Sequence, residues 1–217
     1  MNFINLHCHR TEQQFNEYRI YNRYTHENKP LGLYSSGIHP WRLEKWEDQF
    51  EQLEKIVVDE NCIAIGECGL DRVIETDIEY QIPIFEKQLI LAELIKKPII
   101  VHCVKAFDIL LHLLKKHKIS VPIISHGYKN KPEQLEQLIK AGVKVSFGKA
   151  IFLENSTLPA CLNRLSLHDF FLETDNSPDI LIEQVYEKAS EITGYTVEEL
   201  KIALVQNFSD ICTHAKL

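Results

Sequence analysis

Pro98-Ile99-Ile100-Val101-His102-Cys103 reads as a short, fully buried strand that ends on a histidine, and a stretch of helical period follows it at once. The same pattern recurs in both directions along the chain. Toward the N-terminus the runs Cys62 to Glu67, Leu33 to Ile38 and Phe3 to His7 are apolar or β-branched, and toward the C-terminus so are Val121 to His126, Val143 to Phe147 and Asp169 to Glu173. Short apolar runs alternating with longer helical stretches imply βαβ units and a parallel sheet, here with seven candidate strands.

The helices between them are marked by spacing and by their ends. Trp46, Phe50, Leu53 and Val57 recur at helical intervals, as do Ile82, Phe85, Leu89 and Ala92, so each stripe is expected against the sheet. Pro132 opens and Gly142 closes a helix carrying Leu135, Leu138 and Ile139. Thr196-Val197-Glu198-Glu199 is a capping box for a last helix through Leu200, Leu204 and Phe208. Only Gly194-Tyr195 separates the last two helices, which leaves no room for an eighth strand there. The expected fold is therefore a distorted or incomplete TIM (β/α) barrel in one domain over residues 1–217, with an open doubly wound sheet as the alternative. Residues 10–30, rich in Tyr, Asn and charge, give no reading.

Composition narrows the function. With 45% hydrophobic and 25% charged residues the chain is of ordinary globular type. A net charge of -7 argues against a broad nucleic-acid-binding surface, since affinity for phosphate backbones depends on clustered Lys and Arg, but permits a local cationic site. Residues 1–7 lack the basic start, apolar run and cleavage site of a signal peptide, and no stretch approaches membrane-spanning length. Six cysteines with no Cys-x-x-Cys pair fit reduced thiols in a cytoplasmic protein. No obligate protein partner is evident.

What decides the chemistry is where particular side chains fall. His7 and His9, Glu67, His102, His126 and Asp175 all lie at or just past the C-terminal ends of separate candidate strands, and in a barrel those ends converge on one mouth. Alternation along a strand puts His7 and His9 on one face and turns Cys8 away, so the pair can share an ion. Any one of these residues has an ordinary explanation: a hydrogen-bonded histidine, an ion-paired Glu67, an N-capping Asp175. Their joint placement does not. Imidazole nitrogen with carboxylate oxygen suits Zn, Mn, Fe or Ni better than Ca.

His7-Cys8-His9, Gly37-Ile38-His39-Pro40, Ile65-Gly66-Glu67-Cys68-Gly69-Leu70-Asp71, Pro98 to Cys103, His126-Gly127-Tyr128 and Leu172-Glu173-Thr174-Asp175 occur in the order of the TatD family of metal-dependent hydrolases, in the amidohydrolase superfamily, and the chain resembles that family from residue 3 to about 178. Asn207-Phe208 in the last helix also looks familial. The resemblance implies two divalent ions (Zn, Mn, Mg, Fe or Ni), with His7, His9 and Asp175 on one, His102 and His126 on the other and Glu67 bridging. It further implies that Asp71 and Glu173 orient ligands and that His39 lies near the substrate. Three positions depart from the family pattern: Asn5 and Trp41 stand where Asp and a second His are usual, and Val104 where Arg is frequent. These departures bear on the substrate rather than on the metals.

Two such ions lower the pKa of a shared water toward neutrality and bind the oxygen of the scissile group, with Asp175 placed to take the proton. The expected activity is that of a phosphoesterase or TatD-like deoxyribonuclease using a metal-bridging hydroxide on a phosphoester substrate such as DNA. His7, His39, His102 and His126 are each followed three positions later by a base, Arg10, Arg42, Lys105 and Lys129, where 24 bases in 217 residues would place fewer than one. That predicts a cationic rim for an entering phosphate, although Glu12, Glu44 and Asp108 are close in sequence. The alternatives are an amide, ester or lactone hydrolase of the same superfamily, which the absence of a strand-end lysine to bridge ions disfavours, and a non-catalytic binding module. Cys8, Cys68 and Cys103 are expected to be structural thiols, and His26, His112, His117, His168 and His214 surface residues.

Overall fold

The computed structural model describes residues 2–10, 12, 15–153 and 156–212. Among them are eight strands: β1 (Phe3–Cys8), β2 (Glu17–Tyr24), β3 (Tyr34–Gly37), β4 (Cys62–Asp71), β5 (Ile99–Val104), β6 (Ile123–Ser125), β7 (Val143–Phe147) and β8 (Phe170–Leu172). Seven answer to the predicted runs, and the additional one, β2, lies in the stretch that gave no reading. Its burial alternates irregularly because Arg19 and Arg23 spend their guanidinium groups on the carbonyls of Arg10 and Glu27 rather than in open water. An apolar-run criterion passes over such a strand. The described residues fall into two compact units, one of residues 2–21 and 126–212, the other of residues 22–125.

In the first unit β1 pairs in parallel with β2, Phe3 opposite Glu17 and Asn5 opposite Arg19, and β7 pairs in parallel with β8. The chain just past β8 then joins the end of β1 through a parallel bridge between Cys8 and Asp175, where Asp175 N–H donates to the His7 carbonyl (3.0 Å) and His9 N–H to the Asp175 carbonyl (3.3 Å). The last strand thus comes to lie beside the first, which a barrel requires and a doubly wound open sheet does not supply. Helices α4 (Pro132–Lys140), α5 (Leu158–Asn163), α6 (Ile182–Thr193) and α7 (Val197–Ile211) belong to this unit. Pro132 sits in the first turn of α4, and Thr196 and Glu199 form the reciprocal cap of α7 (3.2 and 2.8 Å). The buried Tyr186 hydroxyl on α6 donates to the Ile4 carbonyl (3.1 Å) and accepts from the Ile4 N–H (3.2 Å), fixing the helix on β1.

In the second unit β3, β4, β5 and β6 are parallel neighbours in chain order, with α1 (Trp46–Ile56), α2 (Ile78–Ile95) and α3 (Phe107–Lys116). On α2, Phe85, Leu89 and Ala92 are buried as the spacing predicts. On α1 only the lower part of the stripe is buried: Leu53 is in the core, whereas Trp46 and Phe50 are half-buried beneath the Lys87 ammonium, 5.6 and 5.7 Å from their ring centres. No helix among the described residues is long and apolar enough to cross a membrane.

Candidate metal centre

Glu67 owes its position to two glycines and a bulge. The register of β4 on β5 shifts between Ile65 and Cys68, a bulge that re-aims the intervening residues. Gly66 and Gly69 permit it because a Cβ at either would strike the Ile100 or the His102 carbonyl oxygen, at 2.4 and 1.9 Å. With β4 pressed this close to β5, Glu67 Oε1 lies 2.9 Å from His102 Nδ1 and 2.9 Å from His39 Nε2. His39 Nδ1 accepts the Trp41 N–H (3.1 Å), so Nε2 carries the ring proton and donates it to Glu67. The other nitrogen of His102, Nε2, meets Asp71 Oδ2 at 3.1 Å. Where that nitrogen donates to Asp71, Nδ1 is left to offer a lone pair on the Glu67 side, so Asp71 sets the orientation of the ring.

Two buried amides on α2 hold the backbone of this group. Gln88 accepts the Ile38 N–H (2.7 Å) and donates to the Ile38 carbonyl (3.2 Å), while Gln81 does the same for Asp71 (2.8 and 2.8 Å). Asp71 is buried, which alone would raise its pKa, yet the indole N–H of Trp41, the Val73 N–H and His102 together hold it below the usual carboxylate value. It is a fixed anion. Sequence reasoning passed over Gln81 and Gln88, although their spacing of seven on a helix predicted to lie against the sheet is a signal: two polar residues on a face that should be apolar.

The second group of side chains lies in the first unit. His7 is fully buried, and Asp175 Oδ1 stands 3.6 Å from His7 Nε2 and 3.5 Å from His9 Nε2, the His9 side chain being 18% exposed and that of Asp175 44%. The His7 ring also lies against His126, centroids 4.3 Å apart, and His126 Nδ1 is 3.4 Å from Glu173 Oε1. Glu173 is fully buried and accepts a short hydrogen bond from the Ser146 hydroxyl. Asp175 has positive φ (48°), a conformation that Asp tolerates better than most residues and that the paired backbone around Cys8 holds in place.

Three sets of ligand atoms within 4.8 Å of one another therefore form inside the units: His7, His9 and Asp175; His126, Glu173 and Asp175; and His39, Glu67 and His102. Mixed imidazole and carboxylate sets with this spacing fit a borderline divalent cation. Of the predicted ligands, His7, His9, His126 and Asp175 lie together in the first unit, and Glu67 and His102 in the second. Glu173, which the sequence had placed behind a ligand, also lies among the possible donors, and His39, placed beside the substrate, is hydrogen-bonded to Glu67.

Residues 6–213 match the family described as TatD related DNase. The chain belongs to the TatD family. Among curated relatives, the metal-dependent hydrolase YjjV of Escherichia coli is 32% identical over 154 residues, 68% of this chain and 59% of that protein. The 3'-5' ssDNA/RNA exonuclease TatD of Yersinia pseudotuberculosis is 28% identical over 147 residues, 65% of this chain and 56% of the relative. The chain thus spans little more than half the length of these TatD-family relatives. The crystal structure of Escherichia coli YjjV superposes with a TM-score of 0.84 at 24% identity, covering 97% of this chain and 98% of that one. The expected (β/α) barrel class is the fold the TatD family shares.

Two of the three departures from the TatD pattern, Asn5 and Trp41, have local explanations. Asn5 donates to Glu17 Oε1 (2.6 Å) and to the Thr174 hydroxyl (2.8 Å) and accepts the Thr174 N–H (3.0 Å). An amide is required there because Glu17 already supplies the negative charge, and the bonds to Thr174 anchor the residue next to Asp175. Trp41 replaces an imidazole with an indole whose N–H reaches Asp71 Oδ2 (2.8 Å).

The thiols near the ligands are structural, as expected. Burial pushes Cys8 up to about 12 and raises Cys68 and Cys103 further. None of the six cysteines is disulfide-bonded. Of the predicted rim, Arg42, Lys105 and Lys129 are exposed, whereas Arg10 donates to the Ile180 carbonyl (2.8 Å). His26, His112 and His168 are exposed, His117 is half-buried against Glu86 (2.8 Å), and His214 lies outside the described residues.

Proposed function

We propose that the chain is a metal-dependent phosphodiesterase that cleaves single-stranded nucleic acid, working as one domain on two divalent ions in a reducing cytoplasm. In this reading His7, His9 and Asp175 would hold one ion and His102 and His126 the other, with Glu67 as a further carboxylate ligand. Bound there, divalent ions make a coordinated water acidic near neutral pH and offset charge on the attacking and leaving oxygens of a phosphoester. The protein's own part is orientation and proton transfer. The Asp175 carboxylate, 44% exposed and flanked by two imidazoles, accepts the proton of the attacking water. Asp71 and Glu173 hold His102 and His126 in one ring orientation. Arg42 and Lys129, both exposed, attract the phosphate backbone locally despite the net charge of -7.

The observation that carries this is the gathering of imidazoles and carboxylates in or just past the C-terminal halves of strands in each unit, on residues that match the TatD pattern. The names of the relatives, hydrolase and single-strand exonuclease, favour phosphodiester over carbonyl substrates. Chelator-treated protein should lose cleavage of a single-stranded oligonucleotide and regain it with Mn, Zn, Ni, Fe or Mg. A restored protein that turns over only lactones, amides or carboxylic esters would overturn the substrate class.

A further inference from the structure

Among the largest side chains Tyr34, Phe85, Phe147 and Phe208 are fully buried, yet Trp41 is 61% exposed. It is also held still. Its indole N–H donates to Asp71 Oδ2 (2.8 Å), and its backbone N–H donates to His39 Nδ1 (3.1 Å). The ring lies steeply against His39 and His102, centroids 5.0 and 5.7 Å away at 84° and 75°. One flank thus rests on the imidazoles of the Glu67 group while the remainder faces solvent. Next in sequence, Arg42 is exposed and its guanidinium lies 4.2 Å above the Tyr24 ring. Ordering a large aromatic side chain in water costs rotamer entropy and leaves apolar area hydrated, which stability alone does not explain.

We infer that Trp41 is a stacking platform for the nucleobase adjacent to the scissile phosphodiester, which makes it a specificity-determining residue. The inference rests on the proposed nuclease function. In nucleic acid each phosphate is one sugar away from a planar π-system, and aromatic side chains stack on bases with little regard to their identity. The platform therefore rewards a base next to the reacting phosphate and ignores which base it is. A base within a duplex already has its stacking partners, so the reward goes to unpaired strands.

The test compares a short oligothymidylate with the same strand carrying an abasic tetrahydrofuran residue beside the scissile phosphate, in wild type, Trp41→Leu and Trp41→Phe. Wild type should prefer the base-bearing strand by about tenfold in kcat/KM, the range of one base–aromatic stack. Trp41→Leu should erase that preference, the base-bearing strand losing about tenfold more than the abasic strand beyond any loss the two share through the Asp71 contact, and Trp41→Phe, which lacks the N–H donor to Asp71 but keeps a ring, should retain part of the preference. A preference that survives in Trp41→Leu, or an equal loss on both strands, overturns the inference and leaves Trp41 only a partner of Asp71. If wild type cleaves neither strand, the nuclease reading has failed. The platform is then judged by indole fluorescence in a Trp46→Phe background: quenching by oligothymidylate but not by the fully abasic strand supports it, and no quenching by either refutes it.

Discussion

The two groups of candidate ligands are built differently. In the second unit the carboxylates have closed on the imidazoles, with Glu67 and Asp71 at 2.9 to 3.1 Å from His39 and His102. In the first unit Asp175 stands off from His7 and His9 at 3.6 and 3.5 Å, and Asp175 and His9 are partly exposed. The former is a buried hydrogen-bonded network, in which removing one member strands another. The latter is a set of donors held at arm's length by paired backbone, in which removing one member costs binding or chemistry rather than folding. Similar imidazoles and carboxylates can thus form one group tied to stability and another available for reactivity.

Asp175→Asn should show the largest effect. Activity should fall by about 10² to 10⁴, the usual contribution of a positioned base, with thermal stability of the metal-free protein unchanged. An active variant would remove Asp175 from the chemistry. Next, His102→Ala and His9→Ala should separate in urea unfolding of metal-free protein. The former leaves Glu67 and Asp71 buried without their imidazole and should cost about 1 to 3 kcal/mol, while the latter should stay within about 0.5 kcal/mol. Equal costs would erase the contrast between the two groups.

Asn5→Asp addresses the support of the first group. It sets a second carboxylate against Glu17, at a contact now 2.6 Å long, and loses two donated hydrogen bonds. Repulsion raises the folded-state pKa of the pair above its unfolded value, so the penalty is present at neutral pH and is relieved as pH falls through the carboxylate range. The expected cost near pH 7 is about 1 to 3 kcal/mol, shrinking by pH 4 in denaturant melts. A penalty independent of pH would indicate lost hydrogen bonding alone.

The smallest effect concerns acid. Of the described carboxylates held below their ordinary pKa, Asp59, Asp71, Glu86, Glu93 and Asp108 are in the second unit, and Glu199 is in the first. Glu93 is lowered from 4.5 to about 2 by Lys96 and by the Ser120 N–H and hydroxyl, against the opposing effect of burial. A depressed folded pKa contributes stability above the unfolded value that is lost as pH falls from 4.5 toward 2. Hydrogen exchange at pH 3 should therefore open peptides of residues 78–125 before those of residues 126–212, and Glu93→Gln should flatten the acid dependence of stability. The reverse order of opening would contradict this.

Much of this was legible in the sequence because buried parallel strands are continuous apolar runs and their ends are easy to see. β7 has the predicted bounds, and His7, His9, His126 and Asp175 lie at or just beyond strand ends, whereas β4 runs on from Glu67 to Asp71 and β5 from His102 to Val104, because the bulge between Ile65 and Cys68 lets pairing resume past Glu67. β2 was hidden because Glu17, Arg19 and Arg23 break its apolar pattern, and the Asn5 amide, Arg10 carbonyl and Tyr34 hydroxyl that hydrogen-bond them lie nine or more positions away. His39 and Glu173 were visible as polar residues near strand ends, but their closeness to ligand atoms depends on the bulge at Glu67 and on the Ser146 contact. The tie from Trp41 to Asp71 spans thirty positions and could not be inferred from spacing.

Whether side chains scattered along the chain hold two cations is decided by anomalous diffraction from crystals grown with Mn or Zn. Two peaks are expected, one bonded to His7, His9 and Asp175, the other to His102 and His126, with Glu67 reaching both. A single peak elsewhere, or none at saturating metal, would contradict the account.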